Sequence, residues 1–228
     1  MKLKKAKFLL LSSVLTLMLA TPVSFADTRE TPKVVYSSNE ITDYDILYDR
    51  AKNGISDLSE KKVVSNDTEE FSTTQLLKEK KYSDYTEQEY VTSSFTCAVP
   101  SKMTREASTS DKTYGVVAYT NTYYTVENKG ATRYIKLTKL TGGWRIKDSQ
   151  IKVTNKTYSA GISGTALNGG STYKTTGTKS TTASTFSYTI PNWPAVFPFD
   201  GNACHINTNA KLTSGGSTWS LSHQESIN

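Results

Sequence analysis

The sequence predicts a mainly β protein: an antiparallel β-sandwich-like domain preceded by a short helical segment. Three stretches carry this expectation. From Glu89 onward, Val91, Phe95, Cys97 and Val99 alternate with Tyr90, Thr92, Ser94 and Thr96, the period-two pattern of a strand. Residues 114–126, YGVVAYTNTYYTV, are dense in β-branched and aromatic types and run through Glu127-Asn128-Lys129-Gly130 into RYIKLTKL, which reads as a hairpin. Near the end, Cys204, Ile206, Thr208, Ala210 and Leu212 alternate, Gly215-Gly216 turns, and Trp219 and Leu221 return. Short strands at such spacing suit a sandwich or barrel.

Taken in order, residues 1–26 read as a cleavable signal peptide. Lys2, Lys4, Lys5 and Lys7 precede an apolar run from Phe8 to Ala20, and Ser24-Phe25-Ala26 has the small-x-small pattern, which places the cut between Ala26 and Asp27. The run is shorter than the roughly 20 apolar residues a membrane-spanning helix needs. No cysteine follows it at the cut, and SLSHQESIN at the C-terminus carries neither an apolar span nor an LPxTG-like sorting signal. The expectation is a secreted, extracellular protein with no stable membrane anchor.

Residues 27–86 form an acidic segment with one or two helices. Ser37-Ser38-Asn39-Glu40 has capping-box spacing, and Ile41, Tyr44, Leu47, Tyr48 and Ala51 recur helically before Asn53-Gly54, predicting a helix at about 39–52. A second helix over Thr73–Lys81 rests on Leu76 and Leu77 alone. Residues 87–228 form the sandwich. Within it, Gly142-Gly143 reads as a tight turn before WRIK. Residues 159–185, rich in Ser, Thr and Gly, read as a long loop or an edge hairpin. FSYTI, residues 186–190, is a strand, followed by a Pro- and aromatic-rich loop through Trp193, Phe197 and Phe199.

Charge excludes one class of partner. The formal net charge is +6, but four lysines lie in the acid-free leader; without it, 23 basic residues face 21 acidic ones, leaving +2. The basic pI therefore says nothing for nucleic acid. Residues 27–95 carry 15 acids and 9 bases, and residues 96–228 carry 6 and 14, so the two regions have surfaces of opposite sign. One reading docks the first on the second; the other leaves two solvated faces.

Cys97 and Cys204 are the only cysteines. In an exported protein such a pair predicts a disulfide, the alternative being two buried thiols. No metal site is expected, because adjacent Cys204 and His205 point to opposite faces of a strand and no CxxC or HExxH occurs. With Gly215-Gly216 as a two-residue loop, Leu212 faces Trp219 and Thr208 faces His223, so His223 shares the face of Cys204 and His205 does not. Gly161-Ile162-Ser163-Gly164 fails the nucleophile-elbow spacing. Phe95-Thr96-Cys97 matches only the end of the sortase cysteine motif, and both histidines follow Cys97 rather than precede it. The β region holds six acids, Glu106, Asp111, Glu127, Asp148, Asp200 and Glu225; Asp148 and Asp200 read as turn residues, and the sequence singles out no acid–base pair for a glycosidase among the six. Lys174 and Lys179 interrupt both faces of 171–185, which argues against a pore-forming hairpin.

The stretch from about Tyr119 to Gly164, with TGGWRIKD followed by a Gly-Ser turn region, resembles uncharacterised secreted β-rich proteins of Gram-positive bacteria. The resemblance implies export and a β fold, and no activity. The function expected is non-enzymatic binding outside the cell, without a cofactor. The partner is a glycan, cell-wall material or a secreted protein, met by Trp193, Phe197 and Phe199 with Tyr123 and Tyr124 nearby. The alternatives are a secreted hydrolase acting on an extracellular polymer and a toxin or bacteriocin-like protein.

Overall fold

The computed structural model describes residues 31–58, 62–64, 68–98, 115–198 and 203–227. The cut at Ala26 and Asp27, and Phe199, lie outside the described residues. The strands are β1 (Lys33–Ser37), β2 (Lys62–Val64), β3 (Thr68–Lys81), β4 (Thr86–Ala98), β5 (Val116–Lys129), β6 (Thr132–Ile146), β7 (Lys152–Ala166), β8 (Ser171–Thr175), β9 (Lys179–Thr181), β10 (Thr185–Thr189), β11 (Val196–Phe197), β12 (Cys204–Ser214) and β13 (Ser217–Ile227). One helix among the described residues, α1 (Tyr44–Lys52), lies between β1 and β2. The protein is therefore mainly antiparallel β with a short helix.

All these strands belong to one sheet, with central order β1-β3-β4-β5-β6-β11-β7-β12-β13; β2 flanks β3, β10 flanks β6, and β8 and β9 flank β7. The sheet folds back on itself, so that β13 lies across β4 and β5. Two layers result, β1 to β6 facing β7, β12 and β13, with β11 bridging them at Val196. Between the layers, Val116, Ile135, Leu137, Leu140, Ile162 and Ile206 are fully or almost fully buried. A second apolar cluster sits outside the first layer, where Leu47, Tyr48 and Ala51 of α1 cover Phe71, Phe95, Cys97 and Val117. Each large aliphatic side chain so buried contributes about 1.5–3 kcal/mol.

β4 shows why its alternation is ambiguous in sequence. It is buried on both faces from Tyr90 to Ala98, between α1 on one side and β13 on the other. The expected helix over Thr73–Lys81 is strand β3, which pairs with β4 from Thr68↔Ala98 to Lys81↔Thr86 with one bulge. Leu76 and Leu77 fall at that bulge, and two adjacent leucines form no helical stripe. β1 and β3, which belong to the acidic segment, thus share a sheet with the strands after residue 87.

The first helix begins at Tyr44 rather than about residue 39, because Asp43 is its N-cap and accepts from the backbone of Asp45 and Ile46. Glu40, expected in a capping box, instead accepts from the Tyr123 hydroxyl at 2.7 Å. Gly142 and Gly143 form no turn; they lie within β6, opposite Thr120 and Tyr119. A Cβ on Gly142 would collide with the Tyr119 carbonyl, and one on Gly143 with the Ser184 carbonyl, so both serve close strand approach. Of the two readings of 159–185, the edge hairpin is the one adopted, with β8 and β9 pairing along β7.

The expected Cys97–Cys204 disulfide is absent; both thiols are free and buried. Thr96 points inward to His223, so Cys97, its neighbour, points to the opposite face and lies 3.6 Å from the Tyr48 hydroxyl under α1. Cys204 is buried in the inter-layer core. One layer of sheet separates the side chains, and no disulfide spans that arrangement. Burial pushes the Cys97 thiol up to about 11, against a smaller lowering by the Tyr48 hydroxyl. Burial, then the Glu225 carboxylate, pushes Cys204 up to about 12.

Candidate functional site

The inner faces of β4, β5 and β13 are unlike the rest of the core. Even-numbered residues of β4 and β5 face inward, and at positions 92, 94, 96, 120 and 122 they are Thr or Ser, all buried. Facing them from β13 are His223, 2% exposed, and Glu225, 6% exposed. The register of β12 with β13 places Thr208 opposite His223 and Leu212 opposite Trp219, so His223 shares the inward face with Cys204 while His205 is exposed.

These residues form a continuous hydrogen-bonded chain. Thr96 Oγ1 lies 2.7 Å from His223 Nδ1, and Thr120 Oγ1 lies 2.9 Å from His223 Nε2. Thr120 donates its hydroxyl proton to Glu225 Oε2 at 2.9 Å, and Thr122 donates to the same oxygen at 2.8 Å. The single proton of Thr120 being spent on Glu225, His223 Nε2 is the donor to Thr120. With that proton on Nε2, a neutral ring accepts from Thr96 at Nδ1, and an imidazolium donates to Thr96 Oγ1 instead. A separate run, Thr74–Thr92–Tyr124, continues at 2.9 and 3.2 Å. Burial pushes the Tyr124 hydroxyl up to about 12, partly offset by its Thr92 contact.

Beside this chain is a half-open cleft of about 350 Å³. Glu70, Ser72 and Thr74 of β3 form one wall, Thr92, Ser94 and Tyr124 the floor, and the His223–Ile227 end of β13 the other wall, with Arg133 also lining it. Among the described residues, no strand closes it on the side of β3. The outer face of β3 is buried at Phe71, Thr73 and Gln75, whereas on its inner face Thr74 is buried and Glu70, Ser72 and Leu76 are half-buried. β13 reaches over β4 and β5, and no described strand of the second layer lies over β3.

The arrangement is suited to hold shape and polarity rather than to attack a bond. Thr96 and Thr120 have no exposed surface, and their hydroxyls are committed to His223 and Glu225. Among the described residues, no group of three His, Cys, Asp or Glu side chains is arranged to hold a metal ion.

The aromatic residues expected at a binding surface are dispersed. Trp193 is buried in the inter-layer core, and Tyr124 is buried at the cleft floor, stacked on Tyr90 with centroids 5.6 Å apart. Tyr123 is half-buried on the opposite face of β5, bonded to Glu40 and covered by the Lys139 ammonium 5.0 Å from its ring. Phe197 is exposed beside Tyr134. Tyr124 alone among them reaches the cleft. The sequence does not bring His223 and Glu225 together with their partners, which lie more than 100 positions earlier in the chain. The only signal was the two-residue turn that put His223 on the inward face.

The class defined by fold and site is an antiparallel β-sandwich with a buried Thr–His–Glu chain and a polar cleft along one open edge. No family model, curated protein or solved structure matches the chain.

Proposed function

We propose that this chain is an exported, non-enzymatic binding protein whose ligand enters the cleft between β3 and β13. One observation supports it: a half-open cleft of about 350 Å³ in which Thr92 and Tyr124 of the floor are tied to each other and to Thr74 of the wall by buried hydrogen bonds. That volume falls in the range of small-molecule and side-chain pockets, about 300–1,000 Å³. A floor already ordered spares the ligand the cost of ordering it, about 0.5–1.5 kcal/mol for each side chain otherwise immobilised. Export is supported by the signal-peptide pattern of residues 1–26. The candidate ligands are glycans, cell-wall fragments and secreted polypeptides.

The test is an amide-shift titration of ¹⁵N-labelled protein with chito-oligosaccharides, a muropeptide digest and a tryptic digest of secreted proteins. Saturable shifts confined to residues 70–76, 90–96 and 222–227 are expected from at least one of the three. Shifts elsewhere, or none with any of them, would overturn the assignment.

A further inference from the structure

The cleft has a second property, visible only in the backbone of its β13 wall. β12 and β13 join through Gly215-Gly216, and the flanking pair Ser214↔Ser217 starts a ladder that runs without a bulge to Cys204↔Ile227. In a two-residue hairpin the flanking pair is hydrogen-bonded, so alternate residues from 217 onward direct N–H and C=O toward β12. Ile227 agrees, its carbonyl accepting from Ala203 N at 2.9 Å. Ser220, Ser222, Gln224 and Ser226 therefore direct their backbone groups to the other side, where no described strand pairs with them. Gln224 and Ser226 line the cleft although their side chains are exposed. By the register, it is their N–H and C=O groups that turn toward it.

We infer that the ligand class is an extended polypeptide, added as a strand to the free edge of β13 and lying over the inner face of β3. This rests on the binding function proposed above and names its partner. Such a strand extends the second layer to where no described strand lies. Its main chain pairs with residues 220–226, and its alternate side chains meet the hydroxyls of Ser72, Thr74, Thr92 and Ser94. Small polar side chains suit that floor.

Two further observations favour this edge and this occupant. The opposite edge of the sheet is blunted, for Lys33, Lys78, Lys80 and Lys81 cluster where β1 meets β3 and a register shift interrupts the pairing. β13, STWSLSHQESI, has no lysine, arginine, proline or bulge. A second folded copy is a poor occupant, because β3 and β1 extend the first layer beyond β13. The same overhang on the partner would meet β3 before the two edges paired, whereas a single strand meets no such obstacle.

The probe is the heptapeptide acetyl-Thr-Lys-Thr-Lys-Thr-Lys-Thr-amide, which has small polar residues on one face and solubilising charges on the other. It is compared with two N-methylated versions, one blocked at the threonine amides and one at the lysine amides. Strand addition predicts that one version binds about tenfold or more weakly while the other stays within about threefold, since only one edge of the guest faces β13. Gln224→Pro removes a cleft-facing N–H without touching the β12 ladder, and should weaken the unmodified peptide by about tenfold; Gln224→Ala keeps the N–H and should leave it within about twofold. Equal loss from both methylation patterns would overturn strand addition, as would a concentration-dependent dimer that excludes the peptide. If the cleft responds to glycans or muropeptides but not to the heptapeptide, strand addition fails while the binding function stands. If Gln224→Pro does not fold, the methylation pair still decides.

Discussion

Thr120→Val removes one hydroxyl and almost no volume, yet it breaks the buried chain at its centre. Thr120 Oγ1 both receives the His223 Nε2 proton and donates to Glu225 Oε2, each at 2.9 Å. Valine leaves each of those two buried groups one partner short, at about 1–3 kcal/mol per group, so the variant should lose about 2–6 kcal/mol. For a domain of this size that lowers Tm by roughly 10 °C. Thr120→Ser keeps the hydroxyl, loses one methyl and should cost only about 1 kcal/mol. Thr122→Val breaks a single bond to the same oxygen and should fall between the two. Urea denaturation followed by circular dichroism measures all three, with the m-value unchanged if only the native state is affected. A Thr120→Val variant no more destabilised than Thr120→Ser would refute the bonding role given to the Thr120 hydroxyl.

Three further predictions follow from the same packing. The folded protein should react with neither equivalent of a thiol reagent at pH 8, because burial holds the Cys97 thiol up to about 11 and Cys204 up to about 12, and denaturant should release both; one fast thiol in the native state would contradict this. Stability should be complete below about pH 9 and fall as pH rises through 11 to 12, since the thiols and the Tyr124 hydroxyl ionise in the unfolded chain before they do in the folded one. Each such group contributes at most about 1.4 kcal/mol per pH unit, so Cys97→Ala with Cys204→Ala should visibly flatten the alkaline limb of ΔG measured from pH 8 to 10.5. Gly142→Ala should destabilise by about 3 kcal/mol or more or prevent folding, as its Cβ has no room against the Tyr119 carbonyl; Gly130→Ala, with open space around it but a left-handed backbone, should cost only the roughly 1–2 kcal/mol of that strain, and equal thermal shifts would refute the distinction.

How far the sequence discloses this molecule depends on whether the deciding contact is local. The β12–β13 register was legible because Gly215-Gly216 leaves one way to pair the flanking residues, and Leu212 and Thr208 sit where that counting puts them. The β5–β6 hairpin was legible for similar reasons, although its strands run on to Lys129↔Thr132. β3 was misread because its half-buried inner face carries polar residues and its apolar partners belong to α1. The disulfide failed for a related reason: β4 is covered on both sides, and an apolar position on such a strand does not say which layer it faces. The site was hidden most deeply. Alternating threonines at 92, 96, 120 and 122 look like a solvated face, and only the fold supplies the imidazole and carboxylate that allow them to be buried. Its place in a proline-rich stretch leaves the exposure of Trp193 undecided in the sequence, and in the structure its ring lies in the core.

Amide hydrogen exchange along β13 tests most directly the claim that its cleft edge stands open for a ligand. In the free protein Leu221, His223 and Glu225 should be protected by β12 while Ser222, Gln224 and Ser226 exchange rapidly, and the heptapeptide should slow the second set alone. Uniform protection of β13 before any ligand is added would mean that the edge is already covered, and would contradict the account.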